Sequence, residues 1–123
     1  MPSRAQLGRI GEQMAVRHLE RAGLVILARN WRCATPEIRG ELDVVASDRD
    51  VLVVCEVKTR RGSGAGEPLA AVTRDKRDRL RRLATAYLVA HRPGASEVRF
   101  DAVAVSWPEG GGRAQIQHIR GVC

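Results

Sequence analysis

An α/β fold is what the sequence predicts: a central mixed β-sheet of about five strands flanked by helices, in the order α-β-β-β-α-β-β. Three observations carry it. Two capped stretches repeat apolar residues at helical spacing. Runs of β-branched residues bounded by turn residues lie between and after them. Helices alternating with strands in this way cover the faces of one sheet. The chain's 123 residues, 44% hydrophobic and 28% charged, suit one domain over residues 1–123 with a core of ordinary size.

The first helix is expected over about Arg4 to Ala22, capped by Ser3 and stopped by Gly23. Leu7, Ile10, Met14 and Leu19 give its apolar stripe. Gly8 and Gly11 lie inside it and each costs about 1 kcal/mol relative to Ala, while permitting close approach of a backbone or a ligand. Leu24 to Trp31 reads as a strand, and residues 32–40 as a loop that Pro36 keeps out of any central strand. Residues 60–68 read as a basic, then glycine-rich, loop. Thr73 caps a second helix over Arg74 to His91, with Leu80, Leu83, Ala84, Tyr87 and Leu88 as its apolar face. Glu97 to Trp107 alternates as a strand, and Ala114 to Ile119 is a short final strand at an edge.

The stretch Gly40 to Arg60, GELDVVASDRDVLVVCEVKTR, carries the chemistry. It reads as a hairpin with charge inside its strands. Glu56 and Lys58 are two apart and share a face. A two-residue loop at Arg49-Asp50 places Asp43 across from Glu56; a loop at Asp48-Arg49 places it across from Val54, on the same face. Either register gathers Asp43, Glu56 and Lys58 on one patch. Two close carboxylates resist joint ionisation. Mg²⁺ resolves that conflict, because it takes one or two carboxylates, keeps waters and binds substrate phosphate. A lysine beside it orients a water or neutralises charge on phosphate. The alternative for an isolated Glu-x-Lys is an exposed ion pair on an edge strand.

Net charge is +7 and the pI about 10.6, which points to a polyanion partner. Six basic and two acidic residues crowd Arg74 to Arg82, either as a solvated face with paired charges or as a ridge for phosphates. Arg60, Arg61, Arg74, Lys76, Arg77 and Arg79 are the candidate nucleic-acid contacts. Four aromatic residues, Trp31, Tyr87, Phe100 and Trp107, are too few for a base-stacking platform, so backbone contact to duplex or branched DNA fits better. Cys33, Cys55 and Cys123 are odd in number and far apart, which argues against a disulfide framework or a zinc knuckle. His18, His91 and His118 show no ligand spacing. No stretch has the roughly 18 apolar residues of a membrane helix, and MPSRAQLGRIGEQ lacks the apolar region of a secretory signal; both predict a cytoplasmic protein.

The combination of GRIGEQMA (8–15), LARNWR (27–32), GELDVVA (40–46), CEVKTR (55–60), AVTRDKRDRLRR (71–82), Tyr87-Leu88 and RFDAVAV (99–105) resembles the restriction-endonuclease-like nuclease superfamily, whose core motif is PD-(D/E)-x-K. More closely, it resembles the YraN family of small bacterial proteins, themselves similar to archaeal Holliday-junction resolvases. The resemblance implies a restriction-endonuclease-like core. It implies Asp43 and Glu56 as ligands of Mg²⁺ or Mn²⁺, Lys58 as the catalytic lysine, and Glu12 as the helix glutamate completing the site. It also implies the Val57 carbonyl as a further ligand, with Glu41, on Asp43's face, supporting them. Leu42 stands where the literal motif has proline. The implied activity is a metal-dependent endonuclease, a hydrolase of DNA phosphodiesters, with branched or junction DNA as a substrate. The other reading is a DNA-binding module that keeps the acidic site without cutting. Resolvase relatives act as dimers, which leaves a homodimer open.

Overall fold

A computed structural model describes residues 2–35, 37–62 and 73–122. Its elements follow the expected order: α1 (Arg4–Arg21), β1 (Val25–Arg32), β2 (Glu41–Asp48), β3 (Val51–Arg61), α2 (Arg74–His91), β4 (Glu97–Trp107) and β5 (Gln115–Ile119). The five strands lie in the sheet in chain order. β1, β2 and β3 pair antiparallel, β3 and β4 parallel, and β4 and β5 antiparallel. The parallel step requires a crossover, and α2 lies in that connection. Among the described residues no helix is long and apolar enough to cross a membrane.

Local chemistry sets the ends. The Ser3 hydroxyl accepts from the Gln6 N–H while the Gln6 side chain accepts from the Ser3 N–H, a reciprocal cap. Thr73 caps α2 through the Lys76 N–H, and Arg92 closes α2 in the left-handed region at φ 43°. The β2–β3 turn uses Arg49 at φ 59°, with Asp48 paired to Val51. This is the two-residue loop at Arg49-Asp50, and it excludes the Asp48-Arg49 alternative. Two strands run further than expected: Arg32 belongs to β1, paired to Glu41, and Arg60 and Arg61 belong to β3 and not to a loop, because β3 stays paired to β4 as far as Arg61 and Trp107. The rest of the expected loop, residues 63–68, lies outside the described residues.

Each face of the sheet is covered by one helix. Ala15, Val16 and Leu19 of α1 bury against Val44, Ala46, Val53, Cys55, Val103 and Val105. Leu80, Leu83, Ala84 and Tyr87 of α2 bury against Leu42, Val45, Leu52 and Val54. Each buried Val or Leu among these contributes about 1.5–3 kcal/mol by leaving water, offset by lost conformational entropy. Leu42 and Val44 are two apart yet sit in opposite clusters, so the strand's alternation breaks at Asp43. Opposite Asp43, Asn30 takes φ 50°, a region asparagine tolerates better than most residues.

A second set of charges, unforeseen as a group, fastens the far side. Asp101 is buried and accepts from Arg99 Nε at 2.8 Å and Nη2 at 3.0 Å, and from the Gly121 N–H at 3.1 Å. His118 Nε2 lies 2.9 Å from Asp101 Oδ2. Arg99 also reaches Asp48 at 3.2 Å, so one carboxylate ties β5 to the hairpin turn. Burial opposes its charge, but these partners together hold it below the usual carboxylate range. His18 packs edge-on against His118, with centroids 5.3 Å apart, so two of the histidines that look scattered in sequence are neighbours. Burial, then His118 and the arginines Arg120 and Arg21, lower the basicity of His18.

The two interior glycines of α1 differ. A Cβ on Gly11 would overlap Thr59 Oγ1 and stand 3.1 Å from Thr59 Cβ and Cγ2, whereas one on Gly8 would meet nothing within 4 Å. Gly11→Ala is therefore expected to destabilise by roughly 1–3 kcal/mol through overpacking, and Gly8→Ala to stabilise by about 0.5–1 kcal/mol through helix propensity. Urea denaturation of the two variants checks the opposite signs.

Candidate active site

The site forms where β2 and β3 part. Their ladder ends at the pair Val44 and Cys55. Beyond it the Val57 N–H donates to Asp43 Oδ2 at 2.9 Å, so a side-chain carboxylate takes the amide that a strand carbonyl would otherwise receive. That bond draws Asp43 into hydrogen-bond contact with Glu56. Gly40, at φ 100°, precedes the strand; a Cβ there would lie 3.1 Å from Arg79 Cδ, so the chain enters β2 tight beneath α2.

Both helices reach this point. From α1, Glu12 accepts from Asn30 Nδ2 at 3.2 Å, and its charge acts on Asp43. The same amide nitrogen donates to Glu41 Oε1 at 3.3 Å, and Glu41 also holds Arg32 at 3.1 Å. From α2, Lys76 Nζ lies 2.8 Å from Glu56 Oε1. Burial and then the Glu56 carboxylate push Asp43 up from 3.8 to about 7; Glu12 adds to the shift, against the pull of the Val57 N–H. Burial raises the Cys55 thiol behind the site, with carboxylates including Asp101 and Asp43 adding to it, so it packs as an apolar group.

The structure thus brings the charges of Glu56 and Glu12 to act on Asp43 at one place. Lys58 is exposed, and the cation on Glu56 is Lys76, from the first turn of α2. Val57 meets the site through its N–H, which the parting of the strands leaves for Asp43. Among the described residues no group of three or more His, Cys, Asp or Glu side chains is placed to hold a metal ion; Asp43 and Glu56 are neighbours, and Glu12 accepts from Asn30. Two residues of the site went unassigned in the sequence. Asn30 joins Glu12 to Glu41, and its signal was an asparagine facing Asp43 across β1 and β2. Arg32 holds Glu41, and nothing in the sequence marks it.

Of the expected nucleic-acid contacts, Arg74 and Arg79 are exposed and Arg77 is half-buried. Arg79 lays its stem on Gly40. Arg61 bonds the Pro2 carbonyl through Nη2 at 3.1 Å, and Arg60 is half-buried at the same end of β3.

The raised carboxylate fixes a pH dependence. Folded Asp43 holds its proton more tightly than the unfolded chain does, so stability is lost as pH rises from about 4 to about 7. Asp43→Asn removes the charge and keeps an acceptor for Val57. The variant is expected to be more stable than the parent by roughly 2–4 kcal/mol at pH 8, because each tenfold gain in proton affinity is worth about 1.4 kcal/mol. The gap should close near pH 4. Denaturant titrations at both pH values check this.

Comparison with known sequences agrees over nearly the whole chain. A family model described as "Uncharacterised protein family UPF0102" matches residues 11–105. A UPF0102 protein of Streptomyces coelicolor is 50% identical over 125 residues, covering 99% of this chain and 92% of the relative. One from Kineococcus radiotolerans is 54% identical over 118 residues, covering 94% and 92%. One from Clavibacter michiganensis is 43% identical over the full length of both. The matched span takes in Glu12, Asp43, Glu56 and Lys58, and the chain belongs to the UPF0102 family.

Proposed function

We propose that the protein is a divalent-metal-dependent endonuclease of restriction-endonuclease-like type, related to the junction resolvases and hydrolysing phosphodiester bonds of duplex or branched DNA. One observation carries the reading. Asp43 and Glu56, two carboxylates, are held in contact although burial and mutual repulsion oppose it. A hard cation with oxygen ligands relieves both costs, and a pair of carboxylates suits Mg²⁺ or Mn²⁺, which keep several waters. Asp43 and Glu56 would hold the ion. When bound, it supplies a Lewis acid for a phosphate oxygen and makes a water more acidic.

The chain's own groups supply the rest. The Val57 N–H fixes the Asp43 carboxylate. Asn30 holds Glu12 one step from the pair, where it adds negative charge and can accept a proton from water. Lys76 neutralises Glu56, and its ammonium would be available to a phosphate held at the site. Lys58, exposed two residues further along β3, offers a second ammonium to orient water. The arginines of α2 and of β3's end hold flanking phosphates as point contacts to the backbone.

The second reading, DNA binding without cleavage, has one observation in its favour: Lys76 occupies Glu56 while Lys58 stands exposed. Cleavage of linear, branched and single-stranded DNA with Mn²⁺ decides between them. The nuclease reading expects product that falls at least about 100-fold in Asp43→Asn and Lys58→Ala, a loss on the order of one removed transition-state contact. It also expects millimolar Mg²⁺ to raise the melting temperature at pH 8 in the parent and not in Asp43→Asn. Equal product from the purified double variant overturns it. Ca²⁺-tightened binding with no product on any substrate favours the second reading.

A further inference from the structure

Gly8 has no packing reason to be glycine. Gly11, one turn away, is explained by Thr59, but the space a Cβ on Gly8 would enter is empty. That space is a cleft of about 600 Å³ between the first turns of α1 and the end of β3, within the range of small-molecule sites. Pro2, Leu7, Gly8 and Thr59 line it together with the arginines Arg4, Arg60 and Arg61. Among the described residues its lining holds no carboxylate. The cleft beside α2 differs, because Glu37, Asp75 and Asp78 offset its arginines. The first turn of α1 carries no acidic residue either, so its dipole adds to the arginines. The Pro2 carbonyl holds the Arg61 guanidinium in place at 3.1 Å. Gly8 and Glu12 are four apart on one face of α1, so the cleft opens one helical turn from the acidic site.

Apolar residues and arginines lining one cleft suit a flat base joined to a phosphate. We propose that the cleft takes a single unpaired nucleotide of the DNA, with its base on Leu7 and Pro2 and its phosphate between Arg4 and Arg61. Enzymes that select unstacked nucleotides hold the base between apolar side chains in this way. The inference rests on the DNA-directed reading above and narrows it: the substrate carries a nucleotide outside the stack beside the bond to be cut, as bulges, flaps and branch points do.

Gly8→Leu tests it cleanly. Its Cβ meets nothing within 4 Å and the side chain projects into the cleft, and the loss of an interior glycine is expected to raise the melting temperature by about 3–5 °C. Fluorescence anisotropy in Ca²⁺ compares a fully paired duplex of about 20 bp, long enough to span the basic face, with the same duplex bearing one bulged nucleotide. The parent is expected to prefer the bulged duplex about five- to tenfold, an effect the size of one held base. In Gly8→Leu the ratio should fall to about one, and in Arg61→Gln to an intermediate value. An unchanged ratio in a folded Gly8→Leu, or no preference in the parent, overturns the proposal. So does free dAMP binding as tightly as the bulged duplex, which would assign the cleft to a free nucleotide. A preference without cleavage under Mn²⁺ overturns the nuclease reading alone; cleavage without preference overturns the cleft alone.

Discussion

The parting of β2 from β3 beyond Val44 and Cys55 is the constraint from which the site follows. An amide left unpaired inside a sheet costs about 1–3 kcal/mol, and Val57 would carry that cost if Asp43 did not reach across to it. The bond fixes a carboxylate at a place its charge would avoid, beside Glu56 and largely out of water. A backbone need thereby holds a like-charged pair together. The structure stores this repulsion in the resting protein.

The same parting explains why helices on opposite faces meet at one point. In an unbroken sheet, α1 and α2 would be separated by the strands they cover. Where β2 and β3 diverge, Glu12 approaches from the α1 side and Lys76 from the α2 side. Each approach depends on a glycine. Gly11 lets α1 settle on Thr59, and Gly40 lets β2 start beneath Arg79 and Leu83. Asn30 completes the arrangement by accepting a left-handed backbone on β1 and giving its amide to Glu12 and Glu41.

Much of this was legible in the residues. The turn SDRD and the β-branched runs around it determine the register, which pairs the strands as far as Val44 and Cys55 and so points Asp43 toward Glu56. The caps Ser3 and Thr73 and the stops after each helix are local chemistry and read directly. Lys58 and Lys76 were not separable in this way. Strand alternation puts Lys58 near the carboxylates, but the cation that arrives depends on how far α2 slides along β3, which the packing of Leu80, Leu83 and Tyr87 decides. The broken alternation at Asp43 was hidden for a related reason, since it arises between strands and not within one. Asp101 read as an ordinary position of β4. Its partners, Arg99, His118 and the Gly121 amide, come together only when β5 folds back along β4.

The parallel pairing of β3 with β4 has a consequence for synthesis. Glu97, the partner of Val51, leaves the ribosome only after the whole of α2 has been made. Until then Val51 to Cys55 presents one open, β-branched edge to the surroundings, flanked by a finished hairpin on its other side. Such an edge is a template for foreign strands, and non-local pairing of this kind closes slowly. The nascent chain therefore passes through a stage in which its most apolar strand is half-paired.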